Sequence, residues 1–550
     1  MTKTLIIGGV AGGMSAATRL RRLNETMEII ILEKGPYVSF ANCGLPYHIS
    51  GEIIERKELI LQTPESLASR FQLDVRINTE AIAIDGEKKE VKVIHEGIES
   101  VITYDNLILS PGAKPFIPAL KGIDQAKNVF TLRNVPDTDA ILKYVEEHKP
   151  KTAAVIGAGF IGIEMAESLK NKGMDVTLIE RAPHILPPLD VEMAAFIDKE
   201  LVSNGVKVMT DSSVVEIKDN NLVLDTGQEV SGDLVILSVG VQPESHLAKM
   251  AGIKLGMRDG ILVDDNYETS IKGIYAVGDA TITKNTITQE DALIALASPA
   301  NRQGRQVADV ISGLKRKNKG SMGTAIVRVF DKAIASTGLN ERQVQALNYD
   351  YAAIHIRINN HAGYFPGATP LVLKIIFNKA TGQIYGGQGF GQEGVDKRID
   401  VLSTAIKAGL TVEDLMELEF TYAPPFGSAK DPINMLGYAA SNIVEGLSDN
   451  IQWHELESVD KSKTILLDVS LETEFSAGNI KGFINIPLDD LRCRMNELDA
   501  SKDIIVSCRS GQRSYMAERI LKQSGFNVKN LDGAYGIYSM ALPGGVNNVR

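Results

Sequence analysis

Two stretches of the chain repeat the same order of apolar, glycine-rich and helix-like segments. An apolar run from Thr4 is followed by a glycine turn, a helix-like segment and a second apolar run that ends at Glu33. The same order begins at Ala153 and ends at Glu180. A buried strand, a glycine turn, a helix and a second strand ending in an acid is the order of a dinucleotide-binding fold. The pattern therefore predicts two βαβ nucleotide-binding units.

Further along the chain, shorter apolar runs predict additional strands. Residues from about 325 to 440 begin with β-like runs at Ala325–Phe330 and Leu371–Phe377 and continue with helical sequence. The polar stretch Glu445–Lys463 predicts a linker. Two later runs predict strands of a separate α/β domain, Thr464–Val469 and Asp503–Ser507.

Composition and charge exclude several classes of protein. The 550-residue chain is too long for one hydrophobic core and predicts about three to five domains. Its formal net charge of −11 argues against nucleic-acid partners, because phosphate contacts need a basic surface. No apolar run approaches the roughly 18 residues of a membrane span, and the eight histidines show no metal-ligand spacing. We therefore expect a globular protein without membrane, nucleic-acid or metal partners.

Cysteine is rare in this sequence. The three cysteines, Cys43, Cys493 and Cys508, are far apart and form no disulfide framework. Such usage is typical of a reducing compartment, so the predicted localisation is cytoplasmic. Because the chain has so few thiols, the surroundings of each one indicate whether it is reactive or structural.

Each glycine turn predicts a pyrophosphate site. The backbone can approach a pyrophosphate only where no Cβ intrudes, and the helix that follows supplies N–H groups and partial positive charge. Val10 occupies the middle-glycine position of the first turn, whereas the second turn, Gly157–Gly162, meets the strict motif. Glu180 favours NADH because a carboxylate repels the 2′-phosphate of NADPH, and Arg181 beside it leaves that choice open.

Two such units followed by Thr269–Asp279 resemble the pyridine nucleotide–disulfide oxidoreductases, which are flavoproteins with two dinucleotide sites. The resemblance covers about residues 1–440 and implies FAD on the first unit, NAD(P)H on the second and Asp279 on the flavin ribityl chain. The residues it implies for FAD are Gly8, Gly9, Val10, Ala11, Gly12, Gly13, Glu33, Lys34, Asn42, Ser110, Pro111, Gly112, Gly278, Asp279 and Pro299, and those for NAD(P)H are Gly157, Gly159, Gly162 and Glu180.

Cys43 stands alone where most members of this family carry a cysteine pair. The segment Ser39–Tyr47 resembles the single-cysteine branch, which contains coenzyme A-disulfide reductases, NADH oxidases and NADH peroxidases. The oxidases and peroxidases usually have a histidine in the first glycine turn, where this chain has Ala11. The resemblance therefore favours thiol chemistry, with Cys43 as the catalytic residue.

The coenzyme A branch of the family also implies ligand contacts and a shared active site. Two tyrosines, Tyr364 and Tyr422, match positions that reach the active-site cysteine of the other subunit in a homodimer. Taken alone, each tyrosine is more often a half-buried packing residue. Arg19 and Arg22 share a helix face, for which a solvated surface is the alternative. The residues implied for coenzyme A are Ser15, Arg19, Arg22, Ser39, Asn42 and Lys430.

A second candidate sulfur site lies near the C-terminus. Cys508 begins a tight loop between a strand and a helix, where backbone N–H groups and the helix N-terminus stabilise a thiolate or persulfide. The six residues Cys508–Arg513 resemble a rhodanese active loop of the sulfur-carrying length, with Cys508 and Arg513 catalytic. Ser470 and Asn479 replace a common arginine and a common histidine, which bears on the rate or the donor. Cys493 has no such surroundings and is interpreted as a bystander.

Together the two sites predict FAD-dependent reduction of coenzyme A persulfide, coenzyme A disulfide or polysulfide by NADH or NADPH through Cys43. Coenzyme A would replace the missing second cysteine, bound tightly or as a mixed disulfide with Cys43. Cys508 would carry a persulfide, and fusion raises its effective concentration. The direction of sulfur flow between the two cysteines stays open. The alternatives are an NADH oxidase or peroxidase with a Cys43 sulfenate, and a rhodanese domain that acts only as a sulfur-carrier or docking module.

The predicted fold class is α/β, with two Rossmann-like dinucleotide-binding domains, an α+β dimerisation domain and a C-terminal rhodanese-like α/β domain. The predicted boundaries are 1–118 and 240–322 for a discontinuous FAD-binding domain, 119–239 for the NAD(P)H-binding domain, 323–445 for the dimerisation domain, 446–462 for a linker and 463–550 for the rhodanese-like domain.

Overall fold

The computed structural model of the 550-residue protein describes residues 2–548. The chain divides into two compact units. The first consists of Met1–Pro183 and Gly205–Gly323, and the second of His184–Asn204 and Thr324–Arg550. Among the described residues, no helix combines the length and the apolar character that crossing a membrane requires.

The strands of the first unit are short, as is usual for the sheets of α/β proteins. In chain order they are β1 (Lys3–Ile7), β2 (Glu28–Leu32), β3 (Asp74–Arg76), β4 (Thr79–Asp85), β5 (Glu90–His95), β6 (Ile98–Thr103), β7 (Asn106–Leu109), β8 (Ala113–Pro115), β9 (Val129–Phe130), β10 (Thr152–Ile156), β11 (Asp175–Ile179), β12 (Lys207–Met209), β13 (Val214–Lys218), β14 (Asn221–Leu224), β15 (Glu229–Ser231), β16 (Leu234–Leu237), β17 (Val241–Pro243), β18 (Ile274–Ala276), β19 (Thr283–Lys284) and β20 (Asp291–Ala292).

The α-helices of both units are best given together, because α6 belongs to the second unit although its neighbours in the chain belong to the first. In chain order they are α1 (Ala11–Leu23), α2 (Leu45–Ser50), α3 (Pro64–Phe71), α4 (Val135–His148), α5 (Phe160–Asn171), α6 (Val191–Ser203), α7 (His246–Met250), α8 (Ala297–Ile311), α9 (Glu341–Ala346), α10 (Val395–Ala408), α11 (Val412–Glu417), α12 (Pro432–Val444), α13 (Glu472–Ala477), α14 (Leu488–Arg494), α15 (Gln512–Gln523) and α16 (Ala534–Ala541).

The first unit contains two five-stranded parallel sheets, which is the predicted Rossmann-like arrangement. The strand orders are β18–β7–β1–β2–β3 and β12–β11–β10–β16–β9. In each sheet the chain first moves to one side of a central strand, β1 or β10, and later returns on its other side. A parallel α/β sheet binds its ligand at such a switch point, outside the carboxyl ends of the strands. The two glycine turns follow β1 and β10 directly, so the topology places both at these points.

Apolar burial explains why β1 and its neighbours form the centre of the first sheet. Leu5 and Ile6 of β1 are fully buried, one on each face of the strand. Helix α1 packs against α8 through glycines, because a Cβ on Gly304 would lie 2.1 Å from the carbonyl oxygen of Gly12. This close approach fixes the start of α1 beneath the first glycine turn.

The second unit contains one antiparallel and one parallel five-stranded sheet. The antiparallel order is β21–β22–β25–β24–β23 and the parallel order is β26–β31–β30–β27–β29, where β28 and β32 form a separate pair. These strands are β21 (Ala325–Val329), β22 (Lys332–Gly338), β23 (Ala352–Asn359), β24 (Pro370–Phe377), β25 (Ile384–Gly391), β26 (Asn450–Ile451), β27 (Thr464–Asp468), β28 (Gly478–Ile480), β29 (Ile484–Asn485), β30 (Asp503–Ser507), β31 (Val528–Leu531) and β32 (Val546–Asn548). The sheets confirm the predicted mixed α/β fold class.

Two segments of the second unit differ from the interpretation of their sequence. The predicted linker 446–462 supplies strand β26, and its Ile451 and Leu456 are buried in the core of the parallel sheet. The neighbouring Trp453 and Val459 pack against the same core, so four apolar side chains attach this mostly polar stretch to the sheet. Residues 184–204, inside the predicted NAD(P)H-binding domain, belong to the second unit through α6. The domain boundaries stay a prediction.

Candidate active sites

The first glycine turn is closed by backbone contacts that leave no room for side chains. Gly8 has a φ of +104°, and a Cβ there would lie 2.0 Å from the carbonyl oxygen of Ser110. A Cβ on Gly13 would lie equally close to the carbonyl oxygen of Gly8. Both positions therefore require glycine, which brings the backbone N–H groups of the turn to the surface of the cradle.

The second turn combines the same closure with open space. Gly157 has a φ of +98°, and a Cβ on Gly162 would lie 1.9 Å from the carbonyl oxygen of Gly157. A Cβ on Gly159, in contrast, would meet no atom within 4 Å. The outer side of this turn is thus free for the pyrophosphate of a dinucleotide.

An acid at the end of the second strand organises each cradle. The Glu33 carboxylate accepts a hydrogen bond from the backbone N–H of Gly9 at 2.9 Å, and Glu180 accepts one from Ala158 at 2.8 Å. In both cases the other carboxylate oxygen accepts from the backbone N–H two residues further on. The two units therefore match in geometry as well as in sequence.

Asp279 and its neighbours form the inner wall of the first cradle. Burial raises the pKa of Asp279, and the positive charge of Arg133 offsets part of that rise. The preceding Gly278 donates its N–H to Oε1 of Gln303 at 2.7 Å. A buried carboxyl in this position is well suited to accept hydrogen bonds from ligand hydroxyls, because such bonds stabilise its charged form. Together with the glycine closures, these residues fit the implied FAD.

The remaining residues implied for FAD lie on the same unit. Ser110, Pro111 and Gly112 directly follow β7, the strand beside β1, and Pro299 is buried in the first turn of α8. Lys34 forms a long ion pair with Glu244 at 3.9 Å.

Cys43 lies in a short 3₁₀ turn, Asn42–Gly44, immediately before α2. Its side chain is exposed on one side, and the surrounding protein on the other side raises the pKa of the thiol. The carboxylates of Glu164 and Asp279 raise this pKa further. The Tyr47 hydroxyl donates a hydrogen bond to Glu164 at 3.1 Å. Burial and these two carboxylates therefore favour the neutral thiol of Cys43 over its thiolate.

The residues of helix α1 implied for coenzyme A differ in whether their side chains already bind other residues of the protein. Arg19 Nε donates to Asp309 at 2.7 Å, so a phosphate bound by Arg19 would share the guanidinium with this carboxylate. Ser15 donates its hydroxyl to Asn301 at 2.6 Å, whereas Arg22 is exposed.

The other residues implied for coenzyme A lie outside α1. Ser39 has a φ of +46°, which is uncommon for a residue with a Cβ. The Asn42 side chain donates to the Arg133 carbonyl at 3.4 Å. Lys430 is exposed on the second unit.

Tyr364 and Tyr422 meet on the surface of the second unit. Their hydroxyls are 3.1 Å apart, and this hydrogen bond raises the pKa of Tyr364. Tyr364 is 78% exposed, Tyr422 is 49% exposed and the neighbouring Phe426 is 73% exposed. An exposed aromatic group of this size is typical of a surface that contacts another molecule.

Cys508 lies at the base of the loop between β30 and α15 and is fully buried. The Gly511 N–H donates to Sγ at 3.2 Å, and the thiol donates to the Ser514 hydroxyl at 3.5 Å. Gly511 has a φ of +98°, a conformation that turns its N–H into the loop. The loop thus gives Sγ one backbone donor, the N–H of Gly511.

Two arginines of the same loop are bound within the protein. Arg513 forms a bidentate ion pair with Glu474, with distances of 2.6 and 2.9 Å. Arg509 donates to the carbonyl of Gly478 at 2.7 Å, and its guanidinium lies 3.9 Å from the ring centroid of Tyr535. Both side chains are therefore held in place before any sulfur donor binds.

The two departures from the rhodanese pattern have local partners. Ser470 donates its backbone N–H to Asp468 at 2.8 Å, and burial raises the pKa of Asp468. Asn479 donates to the carbonyl of Phe475 at 3.0 Å. Both residues thus bind nearby parts of the domain and leave the arginines of the loop as its cations.

Several residues near these sites were missed in the sequence. Glu164 reaches Cys43 from α5 of the other dinucleotide unit, and Gln303 reaches Gly278 from α8, so only folding brings them near. Glu474 lies six residues after Asp468, at the end of the preceding strand, and this short spacing was the signal that could have found it.

Two cradles at sheet switch points, with a thiol beside the first, define a dinucleotide-dependent oxidoreductase.

Comparison with known proteins gives the family. Residues 2–304 match the pyridine nucleotide-disulphide oxidoreductases, residues 324–431 match the dimerisation domain of that family and residues 452–540 match a rhodanese-like domain. The coenzyme A disulfide reductase of Staphylococcus haemolyticus is 36% identical over 446 residues, which are 80% of this chain and all of the relative. That of Staphylococcus aureus is 37% identical over 444 residues, with the same coverage.

Solved structures extend the likeness to the whole chain. Reduced CoADR-RHD of Bacillus anthracis has a TM-score of 0.98 and 49% identity, and the match covers 99% of each chain. The NAD-dependent persulfide reductase from A. fulgidus has a TM-score of 0.92 and 37% identity, over 98% of this chain and 100% of that one. The chain belongs to the pyridine nucleotide-disulphide oxidoreductase family. The predicted FAD- and NAD(P)H-dependent oxidoreductase with a rhodanese-like domain is confirmed.

Proposed function

We propose that this protein uses NADH or NADPH to reduce coenzyme A persulfide, with coenzyme A disulfide and polysulfide as further substrates of the same site. The likeness of the chain to coenzyme A disulfide reductases and to an NAD-dependent persulfide reductase supports this substrate class. One observation carries the proposal: Cys43 is the single cysteine of the first unit. With no second thiol of that unit to pair with, Cys43 takes its partner sulfur from the substrate.

The chain's own residues prepare the cofactor sites. The FAD held at Gly8–Gly13 and Glu33 supplies the transfer of an electron pair from NAD(P)H to sulfur. Gly157–Gly162 would bind the pyrophosphate of NAD(P)H, and Glu180 would bind its ribose. Asp279 would accept a hydrogen bond from a ribityl hydroxyl, which stabilises the charged form of this buried carboxyl.

The sulfur chemistry is a thiol–disulfide exchange. The Cys43 thiolate attacks the inner sulfur of coenzyme A persulfide, a bond forms between Cys43 and coenzyme A, and hydrosulfide leaves. Two electrons from NAD(P)H then cleave this mixed disulfide, and protons restore the thiols of Cys43 and coenzyme A. One NAD(P)H and one proton are consumed for each persulfide, which yields coenzyme A and hydrogen sulfide.

The hydrogen bonds around Cys43 suit this exchange. Burial and the carboxylates of Glu164 and Asp279 disfavour the thiolate of Cys43, so its formation depends on what binds beside it. The Tyr47 hydroxyl donates to Glu164 and holds that side chain in place. A thiol that becomes nucleophilic only in the assembled site limits side reactions of the resting enzyme.

The tyrosine pair belongs in this proposal as the part that a second subunit supplies. Tyr364 and Tyr422 are exposed on the dimerisation domain and hydrogen-bonded to each other. In the homodimer we propose, they face the Cys43 of the partner subunit, together with Lys430. The hydroxyls would donate to the departing thiolate, and the aromatic faces would cover the ligand.

Cys508 is the sulfur carrier in this scheme. Its thiolate takes a sulfane sulfur from a donor and then passes it to coenzyme A, which regenerates the Cys508 thiol and forms coenzyme A persulfide. The Gly511 N–H and the fixed arginines of the loop stabilise the anionic persulfide. The persulfide so formed is the substrate of Cys43.

The test is anaerobic NADH oxidation by the purified, flavin-loaded protein with coenzyme A persulfide, coenzyme A disulfide and polysulfide. Cys43→Ser and Cys508→Ser are assayed beside the wild type, and Cys493→Ser is the matched control for loss of an exposed thiol. We expect reduction of at least coenzyme A persulfide by the wild type and by Cys493→Ser, and none by Cys43→Ser.

Three outcomes would contradict the proposal or a part of it. If none of the sulfur substrates is reduced and NADH is consumed only when oxygen or peroxide is admitted, the protein is an oxidase or peroxidase. If Cys43→Ser retains full activity, electrons reach sulfur by a route that does not involve this thiol. If Cys508→Ser turns over polysulfide plus coenzyme A as fast as the wild type and loses only partner binding, the rhodanese-like domain is a docking module.

A further inference from the structure

The segment Asp532–Gly536 holds the Cys508 loop by two backbone hydrogen bonds. Tyr535 donates its N–H to the carbonyl of Cys508, and Gly536 donates to the carbonyl of Arg509, both at 3.1 Å. The Tyr535 ring also lies against the Arg509 guanidinium. A shift of this segment therefore moves the backbone on which the sulfur is carried.

The same segment is bound at its other end by strand β23 of the antiparallel sheet. His355 donates its backbone N–H to Asp532 Oδ1 at 3.0 Å, and its ring Nδ1 lies 2.6 Å from Oδ2. A Cβ on Gly533 would lie 3.3 Å from the His355 Cβ, and one on Gly536 would lie 3.6 Å from Arg357 Nη1. Strand β23 thus runs along the whole segment, although it belongs to the dimerisation domain.

His355 is itself fixed by buried charges. Its Nε2 lies 3.1 Å from Glu192 of α6, and Glu192 accepts from Lys374 of β24 at 2.5 Å. Lys374 is fully buried and also contacts Asp190 at 2.8 Å and Glu341. These are the charged groups that face the pair, and they leave the His355 ring one orientation.

We propose that His355 and Asp532 are positioning residues for Cys508, through which the dimerisation domain holds the sulfur-carrying loop in its active geometry. This inference rests on the proposed role of Cys508 as a sulfur carrier. Neither residue touches the sulfur. His355 fixes Asp532, and Asp532 fixes the start of the turn that follows it. That turn places the N–H groups of Tyr535 and Gly536, which bind the loop.

The contact has a defined pH range. Burial lowers the pKa of His355, but the charge of Asp532 and hydrogen bonds with Asp532 and Glu192 outweigh it and raise this pKa to about 9. Because the pKa is raised on folding, the contribution of the pair is complete below about pH 6.5, the usual value for histidine, and is lost as the pH rises through about 9. A purely mechanical contact would show no such dependence.

The experiment measures how fast Cys508 acquires a sulfur atom from polysulfide in the full-length, flavin-loaded protein, followed by peptide mass spectrometry. The variant is Asp532→Asn, which keeps the shape of the side chain and removes its charge. The matched control is Gln452→Ala, because Gln452 also joins the rhodanese-like domain to β23, through the Ala353 carbonyl at 3.0 Å, but does not bear on the loop.

We expect Asp532→Asn to load sulfur about tenfold to a hundredfold more slowly at pH 7, because small displacements of a reacting group have effects of this size. Gln452→Ala should match the wild type. The wild-type rate should fall as the pH rises through about 9, and the rate of Asp532→Asn should show no fall there. NADH-dependent reduction of coenzyme A disulfide should be unchanged in both variants.

Equal rates for Asp532→Asn and Gln452→Ala, whether both are slow or both are normal, would overturn the positioning role. Faster loading by Asp532→Asn would overturn it as well. A wild-type protein whose Cys508 takes up no sulfur would instead overturn the carrier role of Cys508, and the inference with it. A variant whose rhodanese-like domain unfolds is recognised by its near-UV circular dichroism, and His355→Gln then replaces it, with the same expectation.

Discussion

The two sulfur sites of this protein differ in nearly every property that controls a thiol. Cys43 is exposed, lies near two carboxylates and has its pKa raised by its surroundings. Cys508 is fully buried, receives a backbone N–H and has two fixed arginines in its loop. Both cysteines nevertheless stand just before a helix. A position before a helix is therefore not what decides thiol chemistry; the neighbouring charges and donors decide it.

In our proposal this difference corresponds to different steps of the reaction. The Cys508 loop, whose contacts lie within one chain, would hold the anionic persulfide. The Cys43 site would be completed by the cofactor and by the partner subunit. A carrier must be stable while it waits, whereas an exchange thiol must react only when electrons and substrate are both present.

The largest effect that would sharpen the comparison is the contrast between two substitutions. Cys43→Ser should reduce NADH-dependent turnover of coenzyme A disulfide by about a thousandfold or more, because a covalent step cannot be replaced by binding alone. Cys508→Ser should change the same rate by less than about twofold. Steady-state assays under anaerobic conditions measure both. A comparable loss in the two variants would mean that the sites do not divide the reaction.

The next effect concerns the unit that carries Cys508. Lys374 is fully buried beside the buried Asp190 and Glu192 and the partly buried Glu341, so Lys374→Met removes the cation that these carboxylates share. We expect a loss of about 3–5 kcal/mol in the free energy of unfolding of this unit. Urea denaturation followed by near-UV circular dichroism measures it. The exposed Lys461→Met is the control, and an equal stability of the two variants would contradict the account.

A smaller effect tests why the Cys43 thiol has a raised pKa. Glu164→Gln removes one of the two carboxylates, so the pKa of Cys43 should fall and its thiolate fraction at pH 7 should rise. Because the thiolate is the nucleophile, the lower pKa should give faster alkylation of Cys43 by iodoacetamide at pH 7. The reaction of Cys508 should not change, and Glu147→Gln, an exposed charge-matched variant, should behave as wild type. Unchanged or slower alkylation of Cys43 would reject this cause.

The smallest effect belongs to the tyrosine pair. Tyr364→Phe removes one hydroxyl from an exposed hydrogen bond, and such bonds contribute about 0.5–1.5 kcal/mol. We expect a twofold to tenfold rise in the KM for coenzyme A disulfide, with kcat changed less. Tyr364→Phe combined with Tyr422→Phe should cost less than the sum of the single variants. Full additivity would show that the two hydroxyls act independently.

The sequence predicted well those parts of the fold that local pattern determines. The two βαβ units could be recognised because glycine turns, apolar strands and terminal acids such as Glu33 and Glu180 lie within short stretches of chain. The Cys508 loop was recognisable for the same reason. The strand β26 was not predicted, because the apolar residues of this stretch, such as Ile451 and Leu456, are scattered among polar ones and do not show the alternation of a strand.

Contacts between distant segments could not be predicted from the sequence. Glu164 acts on Cys43 across more than a hundred residues of chain, and His355 meets Asp532 across 177. Nothing in the local sequence of Glu164 or His355 distinguishes them from other charged residues. Their importance comes from burial and from the charges that folding places around them. The same holds for the surroundings of Cys43, which come from segments that are distant in the sequence.

The most direct test of the account identifies what each cysteine carries. The protein is incubated anaerobically with polysulfide and coenzyme A, without NADH, and its peptides are analysed by mass spectrometry. The account predicts that the Cys43 peptide carries a whole coenzyme A through a disulfide and that the Cys508 peptide carries one additional sulfur atom. Coenzyme A on the Cys508 peptide, or no coenzyme A on the Cys43 peptide, would contradict the division between an exchange thiol and a sulfur carrier.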